Sequence, residues 1–353
     1  MLPVSPNQTT TENPGSTEIP SIQDSVPVIL LFIFGVFGNL AALLTLCSRS
    51  KCHEWRPFYR FVCGLAVTDG GGILISIPIS EYQYLSRFKD TLSTPVCDYL
   101  AFIYMFTLMS SAMIVCCMSA DRFAATYFPI LYNTPAKGRR ANITLALLWI
   151  TSAILCSLHV FGLGSAKIFY PGSWCFLNFI DTDITKNEVY AYIYAVVGVL
   201  VVIMTILLNF AVIAYFVFKR FRRQSPTRSY QGWREFHVII FLLTIVTVLT
   251  SCWFPLMVNI LEHASFALTE TAGKTELLLT RLSITNSIVD PWLYLIFRRE
   301  NYSVLVTCVR RLSGKERASD SEGVPNAETV ISLDTRNKTD SASKDSTDCC
   351  NTY

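Results

Sequence analysis

Charge is scarce in this chain and missing from long parts of it. Asp, Glu, Lys and Arg make up 16% of the 353 residues and 52% are hydrophobic, against roughly 25% charged in ordinary soluble domains. No charged residue occurs in 26–48, 99–120 or 189–218. The cations that exist fall in short clusters between apolar stretches and are not gathered into one basic field. That pattern excludes a soluble enzyme and argues against a nucleic-acid partner, whose binder collects Lys and Arg on one face. Lys and Arg are also absent from the first 25 residues, which are polar and rich in Ser, Thr and Pro. A secretory signal opens with positive charge and an apolar run. The first apolar stretch should therefore act as an uncleaved anchor.

Seven stretches are long enough to cross a bilayer, which takes about 20 mostly apolar residues. They lie near 26–48, 58–80, 99–120, 141–163, 189–218, 236–261 and 277–297. In lipid each must be a helix, because no water is there to satisfy backbone groups left unpaired. Lys and Arg set the orientation. The first, third and fifth connections carry Arg49, Lys51, Arg56 and Arg60, then Lys137, Arg139 and Arg140, then a run that includes Lys219, Arg220, Arg222 and Arg223. The segment after the last span carries Arg298, Arg299, Arg310 and Arg311. The alternate connections hold only Arg87 and Lys89, Lys167 and Lys186, and Lys274. The basic connections belong in the cytoplasm, and seven spans then put the amino terminus outside the cell.

This orientation sorts the 12 cysteines. Only Cys97 and Cys175 fall on the oxidising side, where disulfides persist, so they are expected to pair. The sequon at Asn7 lies in the outer tail and is a glycosylation candidate. Four segments are expected: a tail at 1–25, the membrane bundle at 26–297, an amphipathic surface helix at 298–312 and a disordered cytoplasmic tail at 313–353. Cys308 in the surface helix is either a palmitoylation site or an ordinary thiol. The Ser, Thr and Asp content of the tail fits either a kinase target or a plain solvated end.

Ionisable residues within membrane helices are costly and usually have a partner or a task. Here they are Asp69, His159, Arg281 and Asp290, with Asp121-Arg122 at an inner edge. His159 reads as a packing residue. Asp121 and Arg122 can form a releasable pair or merely anchor the helix. Arg281 sits about one turn into the last span with no acid a turn away in its own helix. Its fork suits a carboxylate in two-point fashion, although it could instead snorkel to the headgroups. No nucleophile–base constellation is present, so neither an enzyme nor a cofactor is expected.

Five short motifs fall in order: Gly38-Asn39, Leu65-Ala66-Val67-Thr68-Asp69, Asp121-Arg122-Phe123, Cys252-Trp253-Phe254-Pro255 and Asp290-Pro291-Trp292-Leu293-Tyr294. Together with Cys97 and Cys175 they make the chain resemble the rhodopsin-like class of G-protein-coupled receptors over about residues 26–310. The resemblance implies an all-α seven-helix plasma-membrane protein, with a ligand pocket in its outer half and a heterotrimeric G protein at its inner end. Receptor kinases and arrestin would engage the tail. It assigns Asp69, Ser111, Asn286 and Asp290 to a mid-membrane sodium cluster, with no other metal. It assigns Asp121, Arg122, Trp253, Pro255, Asp290, Pro291 and Tyr294 to the activation switch. Trp253 is either a relay beneath the pocket or a core residue. The aspartate of amine receptors is replaced by Tyr104 and the lysine of opsins by Ile284.

A finer resemblance rests on Tyr170-Pro171-Gly172-Ser173-Trp174-Cys175-Phe176 and on the nine-residue spacing from Arg281 to Asp290. Both are similar to the prostanoid receptors. Phe61-Val62-Cys63-Gly64-Leu65-Ala66-Val67-Thr68-Asp69 and Phe34-Gly35-Val36-Phe37-Gly38-Asn39-Leu40 look most like the E-type prostaglandin receptors that raise cyclic AMP. That family implies a carboxylate held by Arg281, Tyr84 and Ser173, with Ser80 and Trp174 nearby. It implies prostaglandin E2 as ligand and the stimulatory G protein as partner. Trp253 stands where many members have serine, and Ile284 where the E-type pattern has serine. Prostacyclin or prostaglandin D2 is the near alternative ligand, a different G protein the near alternative partner, and a seven-span transporter the remote reading.

Overall fold

A computed structural model describes residues 25–48, 56–89, 91–181, 185–222, 229–266 and 273–297. Asn7, the 298–312 segment with Cys308, and the tail 313–353 lie outside the described residues. The helices are α1 (Val26–Ser48), α2 (Pro57–Leu85), α3 (Thr94–Tyr127), a short α4 (Pro129–Tyr132), α5 (Lys137–Ser157), α6 (Thr185–Arg222), α7 (Ser229–Phe266) and α8 (Gly273–Phe297). All but α4 correspond to the seven expected spans.

Local sequence explains the ends. Proline stands in the first turn of α2, α3 and α4, where its missing N–H removes nothing from the ladder. Helix α2 runs past residue 80 to Leu85 and keeps Tyr84 helical. It stops where Arg87 and Phe88 take positive φ of 53° and 56°, with Phe88 N–H returned to Gln83 O at 3.0 Å, a turned-back carboxyl end of the kind that closes many helices. Helix α5 ends at Ser157, short of the expected 163. The chain there breaks into turns, with Val160 N–H on Ser157 O at 2.9 Å and Gly162 N–H on His159 O at 3.2 Å.

Among the described residues, six helices are long and apolar enough to cross a membrane. Helix α8 is not among them, because it carries Arg281, Ser283, Thr285, Asn286, Ser287 and Asp290. Several of these point inward, since Ser283, Asn286, Ser287 and Asp290 are buried. The perimeter is the reverse. Leu30, Phe34 and Phe37 of α1, Leu147, Ile150 and Ile154 of α5, and Leu200, Leu207 and Phe210 of α6 are exposed. An apolar exterior over a partly polar interior suits a hydrocarbon solvent.

Helices in such a solvent associate through close packing and interhelical hydrogen bonds. Asn39 Nδ2 donates to Ser287 O at 3.2 Å and joins α1 to α8. Trp149 Nε1 donates to Thr68 Oγ1 at 2.9 Å, joining α5 to α2, and Asn209 Nδ2 to Ser119 Oγ at 2.7 Å, joining α6 to α3. Ser283 Oγ donates to Cys252 O at 3.1 Å, next to the Ser251 carbonyl that Pro255, inside α7, cannot bond.

The all-helical expectation did not contain a hairpin that the described residues form between α5 and α6. Strand β1 (Ala166–Phe169) pairs antiparallel with β2 (Trp174–Leu177), Phe169 opposite Trp174. Gly172 turns the chain at φ 108°, with its N–H on Phe169 O at 2.7 Å, a backbone setting that disfavours any side chain. Cys97 of α3 and Cys175 of β2 form the expected disulfide.

Gly198 lets α6 approach α7. A Cβ built there would lie 2.5 Å from Met257 Sδ and 2.8 Å from Trp253 Cη2. Gly198→Val should destabilise the bundle by about 1–3 kcal/mol through overpacking, read as a lower Tm of the detergent-solubilised protein. An unchanged Tm would mean that this contact is slack.

Candidate functional site

At the disulfide-bearing end, Arg281 of α8 turns toward α2. Its Nη2 donates to the Tyr84 hydroxyl of α2 at 3.1 Å. Tyr84 is buried and its ring meets Phe88 edge-on at 5.2 Å. The guanidinium therefore turns to a neighbouring helix rather than out to the headgroups. Ser80 has a different partner: its hydroxyl shares a hydrogen bond of 3.1 Å with the buried Tyr104 hydroxyl.

The hairpin is packed into this end by aromatic side chains. Phe169 stacks on Trp174 at 4.8 Å and on Phe179 at 5.1 Å. Phe176 meets Tyr194 of α6 at 5.9 Å, and Phe179 meets His263 of α7 at 5.5 Å. Trp174 Nε1 donates to Tyr170 O at 2.9 Å. Ser173 and Trp174 are thus both buried in the hairpin, while Tyr84 and Arg281 are the two expected ligand residues that the fold joins directly. His159 packs as expected, its ring over Tyr190 at 6.4 Å and Nε2 on Asp98 O at 3.2 Å. Lys167 and Asp181 form an ion pair at 2.9 Å beside the strands, with Asn178 Nδ2 donating to the same carboxylate at 3.1 Å.

In mid-bundle, Ser111 Oγ of α3 donates to Asp69 Oδ1 of α2. Asn286 Nδ2 donates to Asp290 Oδ2 at 2.9 Å within α8. Asp69 Oδ2 and Asn286 Oδ1 are buried without a hydrogen-bond partner. Trp253 is 1% exposed and its Nε1 has no partner. Towards the other end, a void of about 20 Å³ touches Asn39, Asp290, Pro291 and Tyr294, about the room one water needs.

At that other end Asp121 and Arg122 are not paired with each other. Asp121 Oδ1 accepts from the Tyr132 hydroxyl of α4 at 2.9 Å, and Arg122 lies over the Phe58 ring at 4.0 Å. Adjacent helical residues project about 100° apart, so each takes a partner from a different element. Ile130 and Leu131 of α4 are 89% and 71% exposed. Unlike the perimeter residues, they sit beside the basic connections.

A model of the 7 transmembrane receptor (rhodopsin family) matches residues 38–294. The chain belongs to that family. Rhodopsin-family members are receptors and not enzymes, so the transporter reading falls. Among known proteins the chain is 28% identical over 339 residues to the prostaglandin E2 receptor EP4 subtype of Homo sapiens, covering 83% of this chain and 69% of that one. It is 27% identical over 347 residues to the same receptor of Mus musculus, covering 84% and 67%. It is 28% identical over 300 residues to the thromboxane A2 receptor of Homo sapiens, covering 81% and 86%. This rhodopsin-family receptor therefore keeps the five motifs in spans that the structure makes helical.

The Lys167 ammonium holds the Asp181 carboxyl below the usual carboxylate range. A value depressed by folding gives a contribution that is full above the unfolded carboxylate value near ~3.9 and is lost as pH falls through the folded one. After correction for intrinsic exchange, hydrogen exchange of the hairpin amides should be flat from about pH 7 to about pH 5 and rise below about pH 4. Asp181→Asn should show the faster exchange already at neutral pH.

Proposed function

We infer that this chain is a plasma-membrane receptor for a prostanoid, with prostaglandin E2 the preferred ligand and the stimulatory G protein its partner. The observation that carries the reading is the Arg281–Tyr84 hydrogen bond across α8 and α2. It presents a cation and a phenol together at one end of an apolar bundle. A ligand carboxylate placed there takes two charge-assisted bonds from the guanidinium fork and one from the phenol. The Ser173 hydroxyl offers a further donor from the hairpin, and Trp174 a flat apolar wall beside it. Ser80 acts through Tyr104. The lipid chains of the ligand would lie against the aromatic floor of Phe176 and Tyr194. The relatives, receptors for prostaglandin E2 and for thromboxane A2, support a prostanoid. Ile284 at the position of the E-type serine is what keeps prostacyclin and prostaglandin D2 as the second reading.

In this reading the disulfide-bearing end and the tail with Asn7 face the outside, and the basic connections face the cytoplasm. Signal passes from the ligand to Trp253, whose indole lies against Gly198 and two residues before Pro255. A shift at the proline-weakened turn of α7 would swing its inner end. Arg122 would leave Phe58 for a carbonyl or acid of the G protein, and Ile130 and Leu131 would pack on that partner's apolar surface. Tyr294 and Pro291 lie beside the small void and would move with α8. The oxygens of Asp69, Ser111, Asn286 and Asp290 suit a hard cation such as sodium. The buried, unpartnered Asp69 Oδ2 is the atom that needs one, since a cation or a proton must offset a carboxylate held in apolar surroundings. Kinases and arrestin would act on the Ser- and Thr-rich tail.

Two measurements test this. In transfected cells prostaglandin E2 should raise cyclic AMP and outrank the other prostanoids in radioligand competition; a lower rank removes the E-type assignment. Arg281→Ala should weaken the free acid by roughly 2–5 kcal/mol, the usual cost of removing one partner of a buried charged pair. Methyl esterification should weaken binding to the native receptor and add little in the variant. Equal losses in both would count against direct pairing.

A further inference from the structure

We propose that the cleft between α3, α4 and α5 at the basic end binds an anionic phospholipid of the cytoplasmic leaflet, with its phosphate on Lys137 and Arg140 and an acyl chain along the small residues of α3. The site uses the orientation given above and does not depend on the ligand held at the other end.

Helix spacing builds the cleft. Cys117, Ala120 and Ala124 recur three and four residues apart on one face of α3, and Lys137, Arg140, Ala141 and Thr144 do so on α5. All of them line a cleft of about 390 Å³, inside the roughly 300–1,000 Å³ of ordinary small-molecule sites. Phe61 of α2, with Phe128, Leu131 and Tyr132 at α4, forms the rest of the wall. Alanine, cysteine and threonine side chains are too short to fill the space between the two helices. Ala120 and Thr144 are exposed, and Thr144 stands beside Ile143 and Leu147 on the apolar perimeter. The cleft is therefore open to hydrocarbon.

Its mouth is cationic where a helix start ordinarily is not. Helix α5 begins Lys137-Gly138-Arg139-Arg140, with no acid in its first turn and no side-chain cap. The free N–H groups of a helix start carry partial positive charge and favour an anion, so cations there are repelled. Lys137 Nζ donates to Asn133 Oδ1 at 3.2 Å and Arg140 Nη2 to Thr134 Oγ1, both neutral acceptors. Arg60 of α2 adds a guanidinium on Asn142 Oδ1 at 2.8 Å, and its Nη2 lies 3.2 Å from where a Cβ at Gly138 would sit. Asp121 is the acid of the lining; its Oδ1 accepts from the Tyr132 hydroxyl, and its charge acts on Lys137. One carboxylate does not offset Lys137, Arg140, Arg60 and the helix start together. A phosphate at the mouth does, and basic pockets between membrane helices on the cytoplasmic side suit anionic headgroups. A free phosphate would leave the apolar cleft empty, whereas a lipid fills both parts at once. A zwitterionic headgroup brings its own cation and gains less.

The test is native mass spectrometry of the full-length receptor released from micelles that hold phosphatidylglycerol and phosphatidylcholine of the same chains in equal amounts. The wild type should retain phosphatidylglycerol over phosphatidylcholine by roughly 10-fold. Lys137→Gln and Arg140→Gln should each cut that preference roughly 3-fold, and the double variant should abolish it. Arg139→Gln removes a charge from the same helix start without touching the cleft and should leave the preference within about 2-fold. Ala120→Phe and Thr144→Phe fill the cleft from exposed positions and should lower retention of both lipids. A wild type without preference overturns the proposal. So does an equal loss in Arg139→Gln, which means a diffuse basic surface, or full retention in both Phe variants, which means that no chain enters the cleft. Displacement of the lipid by glycerol 3-phosphate overturns it as well, because the site then takes an aqueous anion. Orientation is read separately: a carboxyl-terminal tag that antibody reaches in unpermeabilised cells removes the cytoplasmic leaflet from the proposal, while retention in micelles is independent of it.

Discussion

A guanidinium inside a bundle of apolar helices has to find partners for one charge and five N–H groups. Much of the disulfide-bearing end follows from that need. Helix α2 is extended to Leu85, which brings Tyr84 into range. The hairpin, bonded to α3 through Cys97–Cys175, packs its aromatic side chains against α6 and α7. Without Arg281 this end would be one more greasy helix interface. In the proposed reading, it makes this end a place where an anion on an apolar body gains more than a neutral molecule would.

The same rule, that polar groups in this solvent must be satisfied from within, shapes the middle of the molecule. Asp69, Ser111, Asn286 and Asp290 are drawn inward, Ser111 bonding Asp69 and Asn286 bonding Asp290, while Asp69 Oδ2 and Asn286 Oδ1 stay buried without a hydrogen-bond partner. At the basic end the rule splits Asp121 from Arg122. The acid takes a phenol from α4 and the arginine takes an aromatic face from α2. Adjacent helical residues project about 100° apart, and here each takes its hydrogen bond or ring contact from a different element.

Most of the bundle was legible because its cause is local. A charge-free run such as 189–218 has few alternatives to a buried or membrane helix. Helix α8 was the weakest of the seven by composition, yet Asp290-Pro291-Trp292 marked it. The polar residues that dilute its hydropathy are the ones that build the interior. Arg281 and Tyr84 were legible through family resemblance. The hydrogen bond between them was not, because the two lie 197 residues apart on different helices. The hairpin was missed for a different reason. Strands of four residues give too short a window for alternation, and Trp174–Leu177 is buried at every position. The early end of α5 was missed because Leu158 to Leu163 is still largely apolar and only the backbone shows the turns.

Many of the ties between helices end on a main-chain carbonyl. Asn39 reaches Ser287 O, Ser283 reaches Cys252 O, Tyr190 reaches Leu155 O and Tyr194 reaches Met105 O. A carbonyl stays in place whatever side chain the residue bears. The donors are therefore the constrained half of each tie, and positions 287, 252, 155 and 105 are free to drift as far as these bonds are concerned. A scaffold joined in this one-sided manner can shed most of its ancestral residues and keep its helices in register, which is how little shared identity can coexist with a shared architecture.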